Sequence, residues 1–166
     1  MQQPGDAVAR IVAAWQRERP DLDVAPLEVL SRVSRLARHL DLARRQAFAE
    51  RGLETWEFDV LSALRRAGEP YQLTPTHLVR QTLVTSGTMT NRIARLAERG
   101  LVERSSSPTD ARSVQIRLTA AGRDVVDGAM AELISGERQI LATLGPAEQE
   151  RRAGLLKVLL EPFERQ

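Results

Sequence analysis

Residues 74–118 read TPTHLVRQTLVTSGTMTNRIARLAERGLVERSSSPTDARSVQIRL. Thr74-Pro75 is a helix start, with threonine as N-cap and proline at the first helical position. The helix it opens is brief, carrying Leu78 and Val79 to about Gln81. Thr82 to Thr85 make a short turn, and residues 86–99 are helical again until Gly100 stops them. Leu101 to Arg104 read as a strand, and Ser105 to Asp110 as a polar, turn-rich loop. Val114, Ile116 and Leu118 then alternate with Gln115 and Arg117, the pattern of a half-buried strand. Two short helices followed at once by a two-strand hairpin make the winged helix-turn-helix order. Such a hairpin is marginal in water and must lean on the helices.

Outward from this core the chain is helical. Residues 6–18 carry Val8, Ile11, Val12 and Trp15 on a short amphipathic helix that Pro20 ends. Pro26 opens a longer helix whose apolar positions, Val29, Val33, Leu36, Leu40, Ala43 and Ala47, alternate spacings of four and three, a heptad seam closed by Gly52. Residues 54–67 follow with Trp56, Phe58, Val60, Leu61 and Leu64, before the break at Gly68-Glu69-Pro70. Thr119 caps a helix to about Leu144, with Val126, Met130, Leu133, Ile140 and Leu144 at heptad-like spacing. Gly145-Pro146 interrupts it, and a last helix carries Leu155, Leu156, Leu159 and Phe163. The expected fold is mainly α with a small β-hairpin wing. Its one compact unit divides into 1–53 (N-terminal and dimerisation helices), 54–119 (winged helix-turn-helix) and 120–166 (C-terminal dimerisation helices). The flanking seams exceed what the small central unit covers. Intrachain bundling and pairing with a second copy both answer that, and pairing is favoured because readers of this type bind two half-sites.

Composition narrows the function. The chain has 166 residues, of which 42% are hydrophobic and 28% charged, an ordinary globular balance. Net charge is only +2, so bulk charge says little about nucleic acid. There is no cysteine, which excludes disulfides and thiolate metal sites. His39 and His77 are the only histidines, too few for a multi-histidine metal centre. No apolar run reaches the ~20 residues of a membrane helix, and a cytoplasmic location is expected. No nucleophile–base constellation, phosphate-binding glycine loop or metal cluster is present, so no enzyme activity and no cofactor are expected. A helical dimer without a specific operator is the other non-enzymatic reading.

The distribution of side chains points to duplex DNA. At 100° per residue, Met89, Ile93 and Leu96 fall on one stripe of helix 86–99 and face the core. Gly87, Thr90, Asn91, Ala94 and Arg95 lie opposite. Small polar residues let a helix enter a ~12 Å major groove. Ser86, Thr88, Thr90 and Asn91 offer hydroxyls and an amide to bases or phosphates, and Arg95 reaches toward a guanine edge or a phosphate. At the hairpin tip, Arg112 suits a narrow minor groove, with Asp110 directing its guanidinium. The same two residues read equally well as an exposed surface ion pair. His77 lies near the helix-turn-helix, where a packing role and a pH-sensitive one both stand.

Several strings together resemble the MarR family. They are Leu73-Thr74-Pro75-Thr76-His77-Leu78, Ser86-Gly87-Thr88-Met89-Thr90-Asn91-Arg92, Gly100-Leu101-Val102-Glu103-Arg104, Asp110-Ala111-Arg112 and Arg117-Leu118-Thr119-Ala120-Ala121-Gly122. The resemblance implies a homodimeric regulator, usually a repressor, on a pseudo-palindromic operator and released by a small ligand. It assigns the major groove to Ser86, Thr88, Thr90, Asn91 and Arg95, the minor groove to Asp110 and Arg112, and phosphate contacts to Thr74 and Thr76. Trp15, Asp59, Arg92 and Arg104 are further similar to the urate-responsive branch of HucR and PecS type. There such residues line a pocket in which an anion, urate or a carboxylate, engages arginine and displaces aspartate. Arg92 flanks the inner stripe of its helix, and a partly buried arginine needs a carboxylate or an anion. The alternative is a constitutive DNA binder in which Asp59–Arg92 is a structural ion pair and Trp15 is core packing.

Overall fold

The computed structural model describes residues 6–106 and 114–164. It divides into two compact units, residues 1–46 and 47–166.

The first unit holds α1 (Ala7–Glu18) and most of α2 (Ala25–Ala49). Asp6 caps α1 by accepting the Ala9 N–H at 2.8 Å, and Arg32 of α2 closes on the same carboxylate at 2.8 Å. Val8, Val12 and Val24 are buried together, with Leu27 packed against them. Val29, Val33 and Leu36, three members of the expected heptad seam, are exposed.

The second unit runs α3 (Thr55–Arg66), β1 (Gln72–Leu73), α4 (Pro75–Thr82), α5 (Ser86–Glu98), β2 (Val102–Ser106), β3 (Val114–Leu118), α6 (Ala120–Leu141) and α7 (Pro146–Glu164). The expected hairpin is present, with Val102 opposite Leu118 and Arg104 opposite Ile116. It also has a third strand. β1 pairs antiparallel with β3, Leu73 opposite Ile116, giving the order β1-β3-β2. This strand joins the hairpin to the segment leading into α4, so the sheet does not stand alone. β2 continues through Ser105 and Ser106, expected as loop, because the ladder to Gln115 and Val114 supplies partners for their backbone groups. α6 ends at Leu141, one turn short of the expected Leu144.

The core of this unit gathers Leu61 and Leu64 of α3, Leu78 of α4, Met89, Ile93 and Leu96 of α5, Ile116 of β3 and Val126 of α6. Phe48 and Phe58 stack with ring centroids 4.0 Å apart. Gly122 is required where it stands. A Cβ there meets the Leu101 carbonyl oxygen at 2.0 Å, so only glycine lets α6 start against the strand that follows α5. On α7, Leu155, Leu156, Val158, Leu159, Leu160 and Phe163 are all exposed, and no described residue of the helix is buried.

Candidate nucleic-acid interface

Capping fixes where the two short helices begin. Thr74 accepts the His77 N–H at 3.2 Å at the head of α4, and the Thr74 hydroxyl and His77 Nδ1 lie 3.1 Å apart. Thr85 does the same for α5, accepting the Thr88 N–H at 3.3 Å while the two hydroxyls sit 2.9 Å apart. Each cap removes an orphan N–H from the first turn. Between the helices Leu83 takes a left-handed conformation, φ 52°, and is 91% exposed.

The two faces of α5 separate as the 3.6-residue period requires. Met89, Ile93 and Leu96 are buried, while Ser86, Gly87, Thr88, Thr90, Asn91 and Arg95 are exposed. The Thr90 hydroxyl donates to the Ser86 carbonyl at 3.0 Å, which leaves its oxygen lone pairs and methyl outward. Thr76 is exposed on the first turn of α4. The expected wing pair, Asp110 and Arg112, lies outside the described residues.

The arginines of α5 are tied to the first turn of α3, a connection the sequence reading did not contain. Arg95 Nη2 donates to Glu54 Oε1 at 2.8 Å, and its guanidinium lies 4.8 Å from the Trp56 ring centroid. Trp56 Nε1 donates to the other Glu54 oxygen at 2.8 Å. These two donors, the indole first, hold the Glu54 carboxyl below its ordinary range. Arg92, half-buried, lies over the same ring at 5.4 Å. One turn beyond Arg95, Arg99 reaches Glu57 at 2.6 Å and the Gly52 carbonyl at 2.9 Å. Glu57 is 2% exposed, and it also accepts the Glu54 N–H at 2.9 Å, so its buried charge is compensated twice. A capping signal was available in the Glu54-x-x-Glu57 spacing. The arginine partners, about forty residues downstream, carried none.

The expected ligand residues are distributed over both units. Trp15 is 48% exposed on α1 of the first unit. Arg104 is exposed on β2. Asp59 lines a cavity of about 260 Å³ with Ser62 and Arg66 of α3 and with Gln81, Thr82 and Leu83 at the α4–α5 turn. Arg92 contacts Trp56, which the sequence offered only as an apolar position of 54–67.

A family model described as the MarR family matches residues 51–113. The HTH-type transcriptional regulator PecS of Dickeya dadantii is 36% identical over 149 residues, 90% of each chain. This chain belongs to the MarR family. A crystal structure of a mutant MarR from E. coli complexed with operator DNA superposes with a TM-score of 0.66 at 25% identity, covering 82% of this chain and 95% of that one. Another similar structure, at 27% identity and a TM-score of 0.58, concerns regulation of DNA binding of Bordetella bronchiseptica BpsR by 6-hydroxynicotinic acid, covering 77% of this chain and 98% of that one. As a MarR-family protein the chain is a DNA-binding transcriptional regulator of winged-helix fold, not an enzyme. No described helix is long and apolar enough to cross a membrane.

Proposed function

We propose that this regulator is a homodimeric repressor that places α5 in the major grooves of a pseudo-palindromic operator and is released by a small anionic ligand. The observation that carries the reading is the division of α5. One side is locked into the core by Met89, Ile93 and Leu96, and the other presents Ser86, Thr88, Thr90 and Asn91 at the end the caps hold open. Thr74 and Thr76 at the start of α4 are the phosphate contacts of the proposal, and Asp110 and Arg112 its minor-groove arm. The exposed leucines of α7 and the exposed seam of α2 supply the apolar surface that a second copy covers. A dimer seated on promoter DNA blocks that DNA, which makes repression the direct consequence of binding.

Ligand release is supported by two features. Arg92 is a half-buried cation whose contact is a ring face, and Asp59 and Arg66 line one cavity against the turn that leads into α5. An anion that draws Arg92 away from Trp56 alters the setting of the helix that carries the DNA-reading residues. Arg104 belongs to the ligand set of the proposal, and Trp15 is carried into it by the resemblance alone. The test is a titration of the protein–operator complex with purines and small carboxylates at fixed salt, because ionic strength alone moves affinity steeply. At least one planar anion dissociates the complex, and Arg92→Ala removes that response. A complex indifferent to every compound leaves a constitutive binder. A fully responsive Arg92→Ala variant moves the ligand elsewhere.

A further inference from the structure

We propose that Glu54 and Trp56 are positioning residues for base discrimination. They form a shelf at the head of α3 that fixes the rotation of α5 about its own axis. Three arginines follow one edge of α5 at spacings of three and four, Arg92, Arg95 and Arg99. Each is tied to the same short stretch: Arg92 to Trp56, Arg95 to Trp56 and Glu54, Arg99 to Glu57 and Gly52. Both oxygens of Glu54 are occupied, one by the Trp56 indole and one by Arg95, each at 2.8 Å, so the carboxylate has a defined plane as well as a defined place.

The shelf is poorly suited to a stabilising role. Arg95 and Glu54 are more than half exposed, and pairs of that kind contribute little to folding. The link from Arg99 to buried Glu57 and the apolar stripe already hold α5 on the core. Contacts at Arg92 and Arg95 add control over angle. A turn of about 20° about the axis moves side-chain atoms about 5 Å from it by nearly 2 Å, given helix dimensions. A direct hydrogen bond to a base edge tolerates a few tenths of an ångström. Thr90 and Asn91 sit within about a turn and a half of Arg92 and Arg95 on the same helix, so an angular error at the shelf appears at the reading face. Arg95 accordingly acts through the helix setting, its guanidinium directed to α3.

The proposal goes beyond the operator reading but rests on it. The experiment compares affinity for the operator and for a scrambled duplex, at fixed salt and across a salt series, for wild type, Glu54→Gln, Trp56→Ala and Trp56→Phe. Glu54→Gln keeps the size of the side chain and breaks the charge-assisted link to Arg95. It should lower the operator-to-scrambled ratio about tenfold, the order of one lost base contact, with helix content, thermal midpoint and salt slope unchanged. Trp56→Phe keeps a ring under both arginines and should retain most of the ratio. Trp56→Ala should lose it. An unchanged ratio in Glu54→Gln overturns the proposal, as does an equal rise in affinity for both duplexes, the mark of simple charge removal. A wild-type ratio near one overturns both this proposal and the operator reading. A preserved ratio in the variants overturns this one alone.

Discussion

α5 and α7 are both carried by the second unit, and they are completed in opposite ways. α5 buries Met89, Ile93 and Leu96, is capped by Thr85, and is tied along one edge to α3. α7 is longer, yet it buries nothing and leaves six large apolar side chains in solvent, with Phe163 76% exposed. The chain therefore anchors α5 from within and leaves the apolar side chains of α7 outside. Under the proposed function the difference has a reason: a helix whose orientation must match a groove is held by its own core, and a helix that a second copy would cover keeps its apolar surface outside.

The contrast can be broken first in the core of α5. Leu96→Ala should cost about 2–5 kcal/mol, the range for a fully buried leucine, measured as a shift in the denaturant midpoint. A loss well under 1 kcal/mol means α5 is not held from within. On α7, Leu159→Lys with Phe163→Lys should leave the chain helical but shift sedimentation to the single-copy mass. Desolvating an ammonium at such an interface should weaken pairing by roughly 2–4 kcal/mol. Unchanged sedimentation would move the pairing surface off α7.

Smaller effects sharpen the picture. Arg99→Ala removes the guanidinium from buried Glu57 but leaves it the Glu54 N–H, and should destabilise by about 1–3 kcal/mol. Glu57→Gln in the same background should recover part of that loss, and no recovery argues against an uncompensated charge. Leu83→Gly relieves a left-handed leucine that is 91% exposed, and should raise stability by about 0.5 kcal/mol after the entropy that glycine adds to the unfolded chain. A lower thermal midpoint would show that the leucine is held by packing. Asp6 lies below its ordinary value of 3.8 because Arg32, and then the Ala9 N–H, bind its carboxylate. A depressed carboxyl stabilises the folded form above its unfolded value and loses that effect as pH falls through the folded one. An NMR titration should place the Asp6 midpoint below 3.8 and move it up in Arg32→Ala, whereas equal midpoints would remove the pair from solution.

The helical layout was legible because period and punctuation agree. Thr74-Pro75, Gly100 and Gly145-Pro146 mark real boundaries, and the stripe Met89, Ile93 and Leu96 faces inward as the 3.6-residue spacing requires. β1 was not legible. Two residues display no alternation, and their pairing with β3 is decided about forty residues downstream. The shelf was equally silent, because Trp56 reads as one more apolar position until its Nε1 and its ring face are seen in use. Arg95 stands on the outward side of its helix, where the sequence put it, but its contacts with Glu54 and Trp56 at the head of α3 could not be read from residue type. Asp59 and Arg92 were singled out by resemblance, and the structure gives the first a cavity and the second an indole.

The most direct measurement is a footprint of the purified protein on the DNA upstream of its own gene, run beside Asn91→Ala. The account predicts sharp protection of two half-sites about 10 base pairs apart, centre to centre, on a near-palindrome, and its weakening in the variant. Diffuse protection without a repeated half-site, or an identical footprint from Asn91→Ala, would contradict it.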